Sequence, residues 1–109
     1  MTRIATENDL VTLINVFTVA PEHQRRLLDL LVGATETGIR TLPGFVSANL
    51  HISLDGTRVA NYAQWRTRQD LEAMMGNPEA ARQMREASAI ATAIEPHLYR
   101  VAHVAADAG

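Results

Sequence analysis

The dipeptide Asp55-Gly56 constrains this chain most. It lies between two runs of sheet-forming residues, 45–53 and 58–66. Asp-Gly is favoured where antiparallel strands meet, because Gly, and Asp more readily than most residues, accept positive φ. A hairpin here fixes the parity of the strand that follows. Alternation places Val59, Asn61, Ala63 and Trp65 on one face and Arg58, Ala60, Tyr62 and Gln64 on the other. If the first face is buried, Asn61 becomes an interior amide in need of partners, the kind of residue around which function collects.

The remaining elements follow from periodicity. Residues 10–19, LVTLINVFTV, are β-branched and aromatic with both alternating faces largely apolar, as in a central strand covered on two sides. Pro21 opens a helix predicted over 22–40, where Leu27, Leu28, Leu31, Val32 and Thr35 recur at helical spacing, and Pro43-Gly44 ends it. Thr67 is the predicted N-cap of a helix from Arg68, with Asp70 in its first turn and Leu71, Met74 and Met75 on its apolar side. Gly76-Asn77-Pro78 interrupts that helix, and a second piece is predicted from Glu79 to about Ile94. Pro96 precedes a last strand predicted over 97–105, and 106–109 form a frayed tail.

The order β-α-β-β-α-β is that of an α+β, ferredoxin-like fold, an antiparallel sheet with its helices on one side. A chain of 109 residues makes one such domain, 1–109, with its core over about 10–105. The first strand is apolar on both faces, yet one face of the sheet has no helices, so a second copy paired sheet on sheet is expected, giving a homodimer.

Composition excludes several chemistries. There is no cysteine, hence no disulfide, thiolate metal site or Cys nucleophile, and all ten basic residues are Arg, which removes lysine Schiff-base chemistry. A net charge of −2 gives no reason to expect nucleic acid or an anionic membrane. No apolar run approaches the ~20 residues of a membrane-spanning helix. The N-terminus carries no signal-peptide core, so a cytoplasmic protein is expected. His23, His51, His97 and His103 lack metal-ligand spacing, and no metal site is expected. His97 and His103 share a face of the predicted last strand, but about 20 Å apart. Neither G-x-S-x-G nor G-x-G-x-x-G occurs.

Asn61, Trp65 and Arg85 remain as candidates. Asn61 and Trp65 are four apart on one strand face, about 13 Å along it, and could line two ends of an elongated pocket. An amide can donate to a developing oxyanion, an indole can stack on a flat ligand, and an arginine can hold a phenolate or carboxylate. On spacing alone, structural duties are the default: Trp65 as a core anchor, Asn61 bonded to backbone, Arg85 as a solvated helix charge. Met74, Met75 and Met84 read mostly as core, with the option of a soft pocket wall.

The run LDGTRVANYAQWRTRQDLE, preceded by LPGFVSANLH, resembles the antibiotic biosynthesis monooxygenase superfamily, in particular its small cofactor-independent, quinone-forming members from aromatic polyketide pathways. The similarity spans about residues 10–105, and P-G-F at 43–45, the D-G-T turn and N-Y-A-Q-W carry it. The resemblance implies a dimeric α+β barrel that uses molecular oxygen with no flavin, haem or metal on an aromatic polyketide phenol or anthrone. It implies catalytic roles for Asn61 and Trp65, holding the substrate carbonyl and the oxygen-derived intermediate, and for Arg85 in substrate ionisation or binding. The implied substrate contacts are His51, near the pocket mouth, with Tyr62, Leu71 and Met75. Where close members carry a tyrosine six residues after the tryptophan, this chain has Leu71 and no phenol. Haem-degrading members use a helix histidine, and no His lies between Trp65 and Pro96. A non-catalytic dimeric module that binds an aromatic ligand or assists a cyclase, and a general quinol monooxygenase, are the alternatives.

Overall fold

Strands β1 (Val11–Thr18), β2 (Phe45–Ile52), β3 (Arg58–Trp65) and β4 (Ala93–Tyr99) form one antiparallel sheet, ordered β2-β3-β1-β4. The structure is a computed structural model that describes residues 2–6 and 9–108. Met1, Glu7, Asn8 and Gly109, the last residue of the tail read as frayed, lie outside the described residues. Helices α1 (Gln24–Thr37), α2 (Arg68–Met75) and α3 (Pro78–Ile90) pack on one face, which makes this the ferredoxin-like α+β arrangement.

The expected hairpin forms, but by a different device. Its loop spans residues 53–57, and only Gly56 has positive φ, at 81°. Asp55 contributes its side chain instead: one carboxylate oxygen accepts from the hydroxyls of Ser53 (2.8 Å) and Thr57 (2.7 Å) and from Thr57 N–H (3.0 Å). Gln24, from the first turn of α1, donates to the carbonyls of Ser53 and Arg58 and ties the loop to the helical layer. The parity expected for β3 follows: Val59, Ala63 and Trp65 are buried under the helices, while Ala60 and Tyr62 point to the outer face.

Several boundaries differ from expectation. The helix predicted over 22–40 is α1 flanked by 3-10 turns at Pro21–His23 and Ile39–Thr41, and it buries Leu27 and Ala34 while Val32 is exposed. The last strand begins at Ala93, not at residue 97, and ends at Tyr99, not at 105. Pro96 lies within it, opposite Asn15. An edge strand tolerates a proline because a missing N–H on the open side breaks no ladder bond. Beyond Tyr99, which faces Thr12, β1 has almost no partner left to offer, so pairing stops. His103 therefore lies outside the strand that holds His97.

The outer face is lined by Thr12, Ile14 and Val16 of β1 and by Ala60, Tyr62 and Gln64 of β3. At one end the N-terminal arm crosses it. The Gln64 amide is only 1% exposed, yet both its ends are bonded: Nε2 donates to Arg3 O and Oε1 accepts from Ser47 Oγ and Arg3 N–H. Ile14, Val16 and Tyr62 are half-buried with no helix over them.

Two caps and one glycine set the second helical layer. Thr67 Oγ1 accepts from Asp70 N–H at 3.0 Å and caps α2. Asn77 Oδ1 accepts from the N–H groups of Glu79 and Ala80 and caps α3, whose first residue is Pro78. Gly44, at φ 81°, sits directly against α2: a Cβ there would lie 2.2 Å from Asp70 Oδ2. At Gly56, also φ 81°, the nearest atom to such a Cβ is 3.6 Å away, at Pro21. Gly56→Ala should therefore cost about 1 kcal/mol, from backbone strain alone. Gly44→Ala should cost more than about 2 kcal/mol, because overlap with the α2 terminus adds to the same strain. Urea unfolding of the two variants compares them directly.

The hydrogen bonds from Thr57 and Ser53, with help from the nearby Arg58, hold the Asp55 carboxyl at about 2 instead of 3.8. A pKa depressed in the folded state makes its contribution to stability above the unfolded value and loses it as pH falls through the folded one. The stability gap between the wild type and Asp55→Asn should therefore stay constant above pH 3.8 and shrink down to about pH 2. Acid titration of both proteins by circular dichroism measures it.

Candidate active site

A cavity opens between the β1–β4 half of the sheet and the α2–α3 layer. Its outer part has a volume of about 580 Å³ and is walled by Leu13, Met74, Met75, Met84, Ile94 and Pro96, with Asn15, Arg85 and Ser88 as its polar points. A smaller inner part, about 80 Å³, reaches under α1 toward Trp65 and Asn61. Leu13, Asn15, Met74, Ala80 and Met84 line both and mark where they meet. The break between α2 and α3 lets each helix bring methionines to the same cavity. Thioether side chains make an apolar wall that can adapt to a flat ligand.

Asn15 and Asn61 are directly opposed across β1 and β3 on the helix-facing side. Asn15 is 5% exposed. The side-chain carbonyl oxygens of both are buried without a hydrogen-bond partner. This is unusual, since buried polar groups are nearly always satisfied, and each orphan costs about 1–3 kcal/mol. The contrast with Gln64, buried one position from Trp65 with its carbonyl oxygen accepting two hydrogen bonds, shows that the fold can satisfy an interior amide oxygen. At Asn15 and Asn61 it leaves buried acceptors unbonded in residues that line a cavity.

Trp65, 1% exposed, stands at the inner end, with Phe45 against it edge to face at 5.6 Å between centroids and 88° between planes. A bulge in β2 between Phe45 and Ser47 keeps Phe45 on the same face as Trp65. Arg85 is the one ionisable side chain lining either part among the described residues. Its neighbour Arg82 is held in ion pairs with Glu79 and Glu86, whereas Arg85 joins no ion pair among the described residues. An exposed guanidinium at the rim of an apolar cavity attracts an anionic ligand group and orients it inward.

The expected site residues separate into groups. Asn61 and Trp65 line the inner part, Arg85 and Met75 the outer. Leu71 is fully buried in a cluster with Ala63 and Trp65 and lines neither part. His51 and Tyr62 occupy outer-face positions, paired with Ala60 and Asn49, so strand parity turns them away from the cavity of their own protomer. His51 Nδ1 donates to Asn49 O at 3.0 Å. Asn15 was missed by sequence reasoning. A lone amide among Val11, Leu13 and Phe17 on the buried face of β1 was the available signal, but only strand pairing sets it beside Asn61.

An amide kept for structure loses stability when replaced, and one kept for ligand binding gains it. Asn61→Leu should raise the unfolding free energy of the ligand-free protein by about 1 kcal/mol by removing the orphaned carbonyl. Thermal and urea unfolding check the sign.

Residues 10–86 match the family model described as antibiotic biosynthesis monooxygenase. Over 78 residues the chain is 56% identical to tetracenomycin-F1 monooxygenase from Streptomyces glaucescens, covering 72% of this chain and 70% of that protein. Among solved structures, the ActVA-Orf6 monooxygenase of Streptomyces coelicolor, in complex with nanaomycin D, is 29% identical with a TM-score of 0.81, over 90% of this chain and 92% of that one. SnoaB, a cofactor-independent oxygenase from Streptomyces nogalater, shares the fold with a TM-score of 0.71 at 22% identity, over 88% and 96% of the two chains. With residues 10–86 matching the family model and 56% identity over 78 residues to one of its members, the chain belongs to the antibiotic biosynthesis monooxygenase family.

Proposed function

We propose that this protein oxidises a phenol- or anthrone-type intermediate of an aromatic polyketide to a quinone with molecular oxygen, without a cofactor, as a cytoplasmic homodimer. The observation that carries this is the pair of opposed amides whose side-chain oxygens lack a partner, Asn15 at the junction of the two parts and Asn61 in the inner part of a cavity whose one ionisable wall residue, among the described residues, is Arg85. The outer part has the volume and the apolar walls to take a fused-ring substrate, and ligand sites of several hundred Å³ are typical for such molecules.

Such a substrate is acidic at the carbon or hydroxyl to be oxidised, and its anion is electron rich. Arg85 favours the anion electrostatically. The anion passes one electron to oxygen, and the resulting pair of radicals joins through a new C–O bond to form a peroxide that takes up a proton. Loss of the remaining hydrogen on that carbon with cleavage of the O–O bond releases water and leaves the carbonyl of the quinone. Overall, a CH₂ group and O₂ become C=O and H₂O. The amides of Asn15 and Asn61 can accept from a substrate hydroxyl through their carbonyls or, rotated about χ2, donate N–H to the enolate and peroxide oxygens. Trp65 closes the inner end and, with the methionine walls, keeps water from the anion.

What supports the dimer is the outer face, where Ile14, Val16 and Tyr62 stay half-buried with no helix over them. Val16→Glu should convert a dimer into a monomer in sedimentation velocity.

Oxygen uptake with a simple anthrone tests the reaction. Asn61→Ala should lower kcat by about a hundredfold, the usual cost of removing one donor from an oxyanion site. Trp65→Phe should lower it as well. Unchanged turnover in both variants would sink the assignment. Binding of the anthrone with no oxygen uptake would make the protein a binding module.

A further inference from the structure

We propose that the inner chamber is a binding site for molecular oxygen, separate from the part of the cavity that takes the aromatic substrate. The two parts differ in scale and in lining. At about 80 Å³ the inner chamber has room for a diatomic gas, set against about 30 Å³ per molecule in liquid water. It is roughly half the size of the ~150 Å³ apolar cavity known to hold benzene, so a fused-ring substrate does not enter it.

The chamber exists because side-chain volume is missing. Ala48 and Ala63 are cross-strand neighbours on the helix-facing side of β2 and β3, and Ala34, 5% exposed, lines the chamber from α1. Leu31, Ile39 and Trp65 complete hydrocarbon and aromatic walls. Thr35, also in the lining, spends its hydroxyl on Leu31 O at 2.9 Å. Unsatisfied polar atoms occur only at one end, on Asn15 and Asn61, among the described residues.

Apolar cavities of this kind stay dry and take up xenon and other small apolar molecules. Oxygen is such a molecule, and water, which needs two to four polar partners, is held only at the amide end. Oxygen resting against Ala48 and Ala63 reaches the substrate past Asn15, the residue common to both parts. The chamber thus presents the gas from the inner side while the substrate anion is held from the outer side by Arg85. The role given to oxygen rests on the function proposed above, whereas the existence of a gas site does not.

Xenon under pressure reports on the chamber in crystals of the ligand-free protein. Xenon is expected between Ala34, Ala48 and Ala63, and it should vanish in Ala48→Ile, whose larger side chain fills the space. In steady-state kinetics Ala48→Ile should raise KM for oxygen at least threefold and leave KM for the anthrone within twofold of the wild type. Xenon found only in the outer part, or nowhere in the cavity, overturns the proposal, as does an unchanged KM for oxygen in a variant that excludes xenon. If wild type consumes no oxygen with any anthrone, the proposed function and the chamber's oxygen role both fall, while the xenon experiment still decides whether the gas site exists. If Ala48→Ile does not fold, Ala63→Val provides the same comparison.

Discussion

Asn15 and Asn61 face each other because β1 and β3 pair with Val11 opposite Trp65 and Thr18 opposite Arg58, and because side chains alternate along a strand with a period of two. A slip of one residue in β3 would send Asn61 and Trp65 to the outer face, bring Tyr62 and Gln64 under the helices, and leave Asn15 without its opposite amide. The register is pinned from several directions. Asp55 gathers the hairpin loop through three hydrogen bonds, Gln24 fastens that loop to α1, and Phe17 and Val59, paired with each other, lock into Leu27 and Ala87 in the core. The two amides and the tryptophan are therefore held on the central strands β1 and β3, while the helices supply the facing wall. Rigid elements hold a reacting group more closely than loops do.

The interior treats its polar groups unequally. Gln64 has partners for both ends of its amide from the N-terminal arm and from β2, whereas Asn15 and Asn61 on the opposite face keep buried carbonyl oxygens without one. The same inequality appears in packing. Large side chains fill the core around Phe17 and Leu27, but alanines at residues 34, 48 and 63 leave a space beside Trp65. Open acceptors and unfilled volume both cost stability, and both occur in one cavity. Functional sites are where proteins keep such local departures from a well-packed, well-bonded interior.

Much of this was legible in the sequence. Asp55-Gly56, the cap at Thr67 and the break at Gly76-Asn77-Pro78 marked the hairpin and the two helices within a few residues, and the resemblance carried by N-Y-A-Q-W agrees with the family match over residues 10–86. Pro96 misled, because a proline on an edge strand does not end it, and sequence cannot say which strand is the edge. His51 and Tyr62 were expected at the cavity although their own parity places them on the other face. Leu71, expected among the substrate contacts, packs in a core cluster with Ala63 and Trp65 and lines neither part of the cavity.

The sequence by itself determined the order of elements, the faces of β3 and the absence of cysteine and lysine chemistry. These are local properties, set by alternation, turn residues and composition. Only the tertiary structure decided that Asn15 stands beside Asn61, that methionines from two helices meet over one cavity, and that alanines from two strands and a helix leave a chamber next to the tryptophan. Each of these joins residues far apart in the chain, and proximity of that kind is set by strand register and helix docking, which no local pattern encodes.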